Sequence, residues 1–255
     1  QVADIAAHAR ELEEGGRARG VPLTLYFKPL GHRALYPLLE ALVFDSHAAK
    51  DVTPAAAKAL ELGLIESIGT IRDPRAIPVL AKVLDRARDD RTTRSSAESL
   101  ARIGTDGALD LLVAAASKAR TERAAARERA ILSGMHDARR EAAARFLAKR
   151  LRSGADDDTA RVIARSLGGV GNAWAWKTLA DQREAAATRA IAAEALVDAF
   201  VRFGGVVREQ AAKALLVVDD PSTPSLIAVA RQGAPAELAA ALDALDRRFA
   251  ANPTR

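Results

Sequence analysis

The chain has 255 residues, of which 49% are apolar, 28% charged and 4% aromatic, with a formal net charge of +5 and no cysteine. That length suits one large domain or two small ones. The missing cysteines exclude disulfides, thiolate zinc sites and a cysteine nucleophile, and no apolar run approaches the roughly 18 residues of a membrane-spanning helix. The apolar content is mostly Ala, Leu and Val, which favours closely packed helices. A start at Gln1 without a visible signal sequence is read as a trimmed chain or a removed leader, which favours an exported protein over a cytoplasmic one.

Residues 1–52 fit no repeat and are expected to form an N-terminal helical cap. "LTLYF" at Leu23–Phe27 is the single candidate strand in the chain. Tyr26, Phe27, Tyr36 and Phe44 are four of the ten aromatics, as a cap needs to seal the end of a stack; a docking patch is the alternative.

From residue 53 to 250 the pattern is helical and repetitive. In "SIGTIRDPRAIPVLAKVL", Ile68-Gly69 closes one helical pattern, Asp73-Pro74 opens the next, and Ile77, Leu80, Leu84 and Ala87 form an apolar stripe. Asp accepts from free amides at a helix start, Pro fits the first turn, and Gly tolerates the left-handed C-cap. A second short phrase, of the form "AKAL", recurs at Ala57–Leu60, Ala97–Leu100, Ala164–Leu167, Ala193–Leu196 and Ala212–Leu215, and "DDPSTPSLIAVA" at Asp219–Ala230 echoes the first one. Gly69, Gly104, Gly134, Gly171 and Gly204, read as turn glycines, lie 35, 30, 37 and 33 residues apart. Each period holds two helices, such as Ser95–Ile103 and Ala108–Lys118. The interval from Leu196 to Leu215 holds one helix: either Val206–Val218 is the second helix of a unit, or a helix is missing there. Ala234–Ala250 is the expected last helix, with Leu238, Leu242, Leu245 and Phe249 inward, and residues 251–255 are expected to fray.

Helix pairs of this period cannot bury both faces alone and must stack on their neighbours. The phrases "IGTIRDPRAIPVL" and "AESLARIGTDGALDLL" resemble HEAT repeats of the short bacterial type, also called phycobilin-lyase-like repeats, over roughly Thr53 to Arg231. The resemblance implies an all-α, right-handed, armadillo-type solenoid and no particular activity.

Chemical motifs are sparse. His8, His32, His47 and His136 lack metal-ligand spacing, and the paired His-Glu motifs of the HEAT-like iron hydroxylases are absent. "DDDT" at Asp156–Thr159 precedes an apolar stripe and is read as a helix cap. "GGVGN" at Gly168–Asn172 lacks the preceding strand and following Lys of a phosphate loop, and is read as a turn. No hydroxyl is marked as an activated nucleophile.

The segment Lys118–Arg152 holds eleven basic and four acidic residues, +7 within a chain of +5. Such grouping attracts an acidic partner unless local i, i+4 pairs neutralise it. In "NAWAWK", Trp174 and Trp176 are two residues apart, about 200° around a helix, so they cannot both face one core. The reading is a non-enzymatic protein-interaction scaffold that binds an acidic partner on its concave face, formed by the second helix of each pair. The contact residues are Arg139, Arg145, Lys149 and Arg152, helped by Trp174 or Trp176; no catalytic residue, metal or cofactor is assigned. Alternatives are a DNA-binding protein of the HEAT-like alkylpurine glycosylase kind and a structural subunit of a larger assembly.

Overall fold

The computed structural model describes residues 24, 27–44 and 54–252. Every regular element among them is helical. Most of the expected cap, including Tyr26, His8, His47 and all but two residues of "LTLYF", lies outside the described residues; Thr24 and Phe27 are helical. The chain divides into two compact units, Gln1–Gly134 and Met135–Arg255. No helix among the described residues is long and apolar enough to cross a membrane.

In the first unit, a 3-10 turn (Lys28–Ala34) leads into α1 (Leu35–Val43), followed by α2 (Pro54–Ile71), α3 (Ile77–Arg86), α4 (Asp90–Ile103), α5 (Asp106–Thr121) and α6 (Ala125–Gly134). The first-layer helix α4 packs between α2 and α6, while α3 and α5 form the second layer against it. Leu80 and Leu84, from the predicted stripe, are buried, as are Leu64, Ile65, Ile68, Leu100, Leu109, Leu112 and Ile131. The helix ends follow local chemistry. Asp89 caps α4 by accepting from the Thr92 amide at 2.9 Å, Gly104 ends it at a φ of 75°, and the Thr105 hydroxyl caps α5 through the Ala108 amide. Each side chain satisfies an amide that has no partner inside its helix.

The second unit begins with a 3-10 turn (Met135–Asp137), then α7 (Glu141–Arg152), α8 (Asp157–Val170), the short α9 (Ala173–Lys177), α10 (Ala185–Arg202), α11 (Gly205–Val218), α12 (Thr223–Arg231) and α13 (Ala236–Ala250). Here α11 packs on α8 and α13, whereas α10 packs on α7, α8, α11 and α12. Val206–Val218 is therefore a first-layer helix, and no helix is missing. The echo at Ala193–Leu196 lies on the second-layer α10, preceded by the extra helix α9. Leu242, Leu245 and Phe249 are buried on α13, and the buried Asn252 donates its side-chain amide to the Leu216 carbonyl at 2.9 Å.

Three glycines read as turn formers or turn residues instead mark close contacts between helices. Gly69 lies within α2, and a Cβ there would sit 2.5 Å from Ser99 Oγ and 2.7 Å from Ser99 Cα. At Gly134 a Cβ would meet the Ala97 Cβ, the Arg94 carbonyl and the Glu98 amide within 2.8 Å. In the second unit Gly168 lies within α8, and its Cβ would fall 2.9 Å from that of Ala214 on α11. First-layer helices approach so closely at these points that no side chain fits between them. Of "GGVGN", only Gly171 and Asn172 form the turn; Asn172 caps α9 through the Ala175 amide.

Candidate functional site: a basic groove on the second unit

The amphipathic helix α7 buries Ala143, Ala144, Leu147, Ala148 and Leu151, so its remaining face carries Arg145, Lys149 and Arg152. These three side chains line a groove of about 480 Å³ between α7 and α10, with Ala148 and Ile191 as apolar floor and Glu194 on the opposite wall. The helical spacing of the three basic residues made their shared face legible. That α10 forms the other wall was not, because Ile191 and Glu194 lie about forty positions away.

The opposite wall also carries negative charge. Arg152 donates to Asp198 at 2.9 Å and to Glu194 at 2.7 Å. Burial opposes its charge, but these two carboxylates outweigh that effect and raise its pKa further. Arg145 bonds Glu141 one turn earlier at 2.7 Å, as the i, i+4 spacing predicts. The Lys149 side chain is exposed and makes no hydrogen bond or ion pair with any described residue. Of the three groove cations, Lys149 thus presents an open charge, Arg145 shares one carboxylate, and Arg152 is bridged to two.

Arg139 and the tryptophans stand apart from the groove lining. Arg139 is largely buried and donates to the His136 carbonyl at 2.7 Å and to Asp137 at 3.4 Å, which makes it a brace for the corner before α7. Trp176 is buried, its indole N–H donating to the Val170 carbonyl at 2.9 Å. Trp174 is 74% exposed. As their separation around the helix requires, one ring fills the interior and the other reaches solvent.

Other basic residues of the Lys118–Arg152 segment have structural partners. Arg127 donates to the carbonyls of Leu84 at 2.6 Å and Ala87 at 2.7 Å, closing the C-terminal end of α3, while Arg140 pairs with Glu184 at 3.1 Å. The expected cap at Asp156 is present, its carboxylate accepting from the Thr159 amide at 2.7 Å. His32 bonds Asp73 at 2.9 Å.

A family model described as HEAT repeats matches residues 62–132. These residues run from the middle of α2 into α6 and include the α4–α5 pair with its Gly104-Thr105 corner. No curated protein matches the sequence. A solved structure of human deoxyhypusine hydroxylase in complex with glycerol is similar over 85% of this chain and 88% of that chain, at 19% identity and a TM-score of 0.31; likeness at that level carries nothing about activity. The match and the layered helix pairs agree: the described residues form an all-α, solenoid-type fold whose residues 62–132 match HEAT repeats.

Proposed function

We propose that the protein is a non-enzymatic interaction scaffold, built on repeats of the short bacterial, phycobilin-lyase-like type, that holds an acidic segment of a protein partner in the α7/α10 groove. The single observation behind this reading is the open Lys149 ammonium beside Arg145, above the apolar floor of Ala148 and Ile191. A partner carboxylate there would gain a charge-assisted bond without first breaking an ion pair of Lys149, while apolar contacts supply the rest. Helices fixed by packing lose little freedom on binding, which favours affinity. In this reading Trp174 serves as an accessory anchor.

The test is capture from an extract of the source organism by the immobilised protein, at low and high salt, with the partner identified by mass spectrometry. Arg145→Glu with Lys149→Glu should abolish capture while leaving the circular dichroism spectrum and melting temperature unchanged. Unchanged capture by this variant would remove the groove from the reading. Retention of duplex DNA in place of protein, with a steep salt dependence, would favour the DNA-binding alternative.

A further inference from the structure

The first unit holds a larger cavity that the interaction reading does not use. A recess of about 600 Å³, open to solvent on one side, is bordered by four elements: Leu42 and Val43 of α1, Lys58 and Glu61 of α2, the face of α3 from Pro78 to Arg86, and Asp89 and Thr92 at the start of α4. The α7/α10 groove, by contrast, is lined by two helices and the residue following α7. Walls from four elements define a concave site with an apolar lining and few polar groups, the ordinary form of a small-molecule site at this volume.

The charges lining the cavity are unevenly matched. Both carboxylates are taken by Lys58, whose ammonium lies 2.7 Å from Glu61 and 2.7 Å from Asp89. The side chains of Lys82, Arg86 and Arg88 also line the cavity and make no ion pair or hydrogen bond with any described residue. On α3, Val79 and Val83 are one turn apart, as are Lys82 and Arg86, so this helix presents apolar and cationic rows side by side. A half-open recess lined by valines and a leucine, with unmatched cations at its solvent side, calls for an occupant that is apolar at one end and anionic at the other.

We propose that this cavity binds a small amphiphilic anion, with its apolar body against Leu42, Val79 and Val83 and its anionic head at Lys82, Arg86 and Arg88. The site is independent of the α7/α10 groove and of any protein partner.

The test is isothermal titration calorimetry of the whole chain with octanoate, 1-octanol and inorganic phosphate. Octanoate should bind saturably at one site, and the alcohol and phosphate at least tenfold more weakly, because each supplies only half of the match. Lys82→Glu with Arg86→Glu, both at exposed positions, should weaken octanoate at least tenfold with an unchanged circular dichroism spectrum. Arg145→Glu with Lys149→Glu should leave octanoate binding as it was. Equal affinity for octanoate and octanol, equal binding by wild type and the Lys82/Arg86 variant, or no saturable binding would each overturn the assignment.

Discussion

At the corner between α2 and α3, Arg72 adopts a φ of 58° and the buried Asp73 accepts from the Arg75 amide at 2.9 Å, with Pro74 between them. At the corner between α11 and α12, Asp219 adopts a φ of 46° and the buried Asp220 accepts from the Ser222 amide at 2.9 Å, with Pro221 between them. The two units use the same turn, and the sequence echo that marks it is genuine. They differ in how one helix pair is joined. In the first unit, α4 passes to α5 through Gly104 and Thr105 alone; in the second, α8 reaches α10 only after the short α9 with its exposed Trp174. A turn is local chemistry and can be copied intact, whereas an inserted helix shifts every later element in sequence without moving it out of its layer.

The two units should respond most strongly, and most differently, when their first-layer helices are forced apart. Gly134→Val should cost about 3 kcal/mol or more, because two of the three atoms its Cβ would meet are backbone and cannot turn aside. Gly168→Ala in the second unit should cost less, about 1–2 kcal/mol, since its nearest obstacle is the Ala214 methyl. Urea unfolding of each variant measures both; equal costs would mean that the two units are not held by contacts of different rigidity.

Each unit also uses an arginine to close a helix end. Arg127 reaches the Leu84 and Ala87 carbonyls, and Arg189 donates to the Val218 carbonyl at 3.0 Å and to that of Asp219. Replacing either by Ala should cost about 1.5 kcal/mol, the lower end for charged hydrogen bonds because both side chains are part-exposed. Amide exchange should quicken near the end of α3 in the first variant and of α11 in the second. Exchange that quickens throughout the chain in either case would refute local clamping.

The helix caps extend the contrast to pH. Asp89→Ala and Asp156→Ala should each cost about 1 kcal/mol, the usual value of an N-cap. Burial opposes the Asp89 carboxylate, but hydrogen bonds from Lys58 and Thr92 outweigh it and lower its pKa to about 2. Because its folded pKa lies below the unfolded value of about 3.9, Asp89 contributes stability that is full above pH 4 and declines as pH falls toward 2. Asp89→Asn keeps the cap and should flatten that part of the stability curve, seen as a smaller loss of melting temperature between pH 4 and 2. An unchanged slope would show that the Lys58 pairing contributes nothing.

The smallest effect is expected at Arg152. Its partners Glu194 and Asp198 are exposed like itself, so Arg152→Ala should change stability by less than about 1 kcal/mol. A larger loss in a thermal melt would mean that this bridge helps to hold α7 on α10.

Much of the architecture could be read along the chain, since helix stripes, Asp-Pro starts and Asp caps act over three or four residues. Leu80, Leu84, Asp73, Asp156 and the face shared by Arg145, Lys149 and Arg152 needed only that local rule. The glycine period misled in places because Gly69, Gly134 and Gly168 serve packing partners far away in sequence. The layer of Val206–Val218, the burial of Trp176, the carboxylates that bridge Arg152 and the pairing of Lys58 with Asp89 also depended on which helices meet. The division has a physical reason: backbone hydrogen bonding and side-chain period are properties of a short segment, while charge pairing and close approach belong to two segments that only the folded chain brings together.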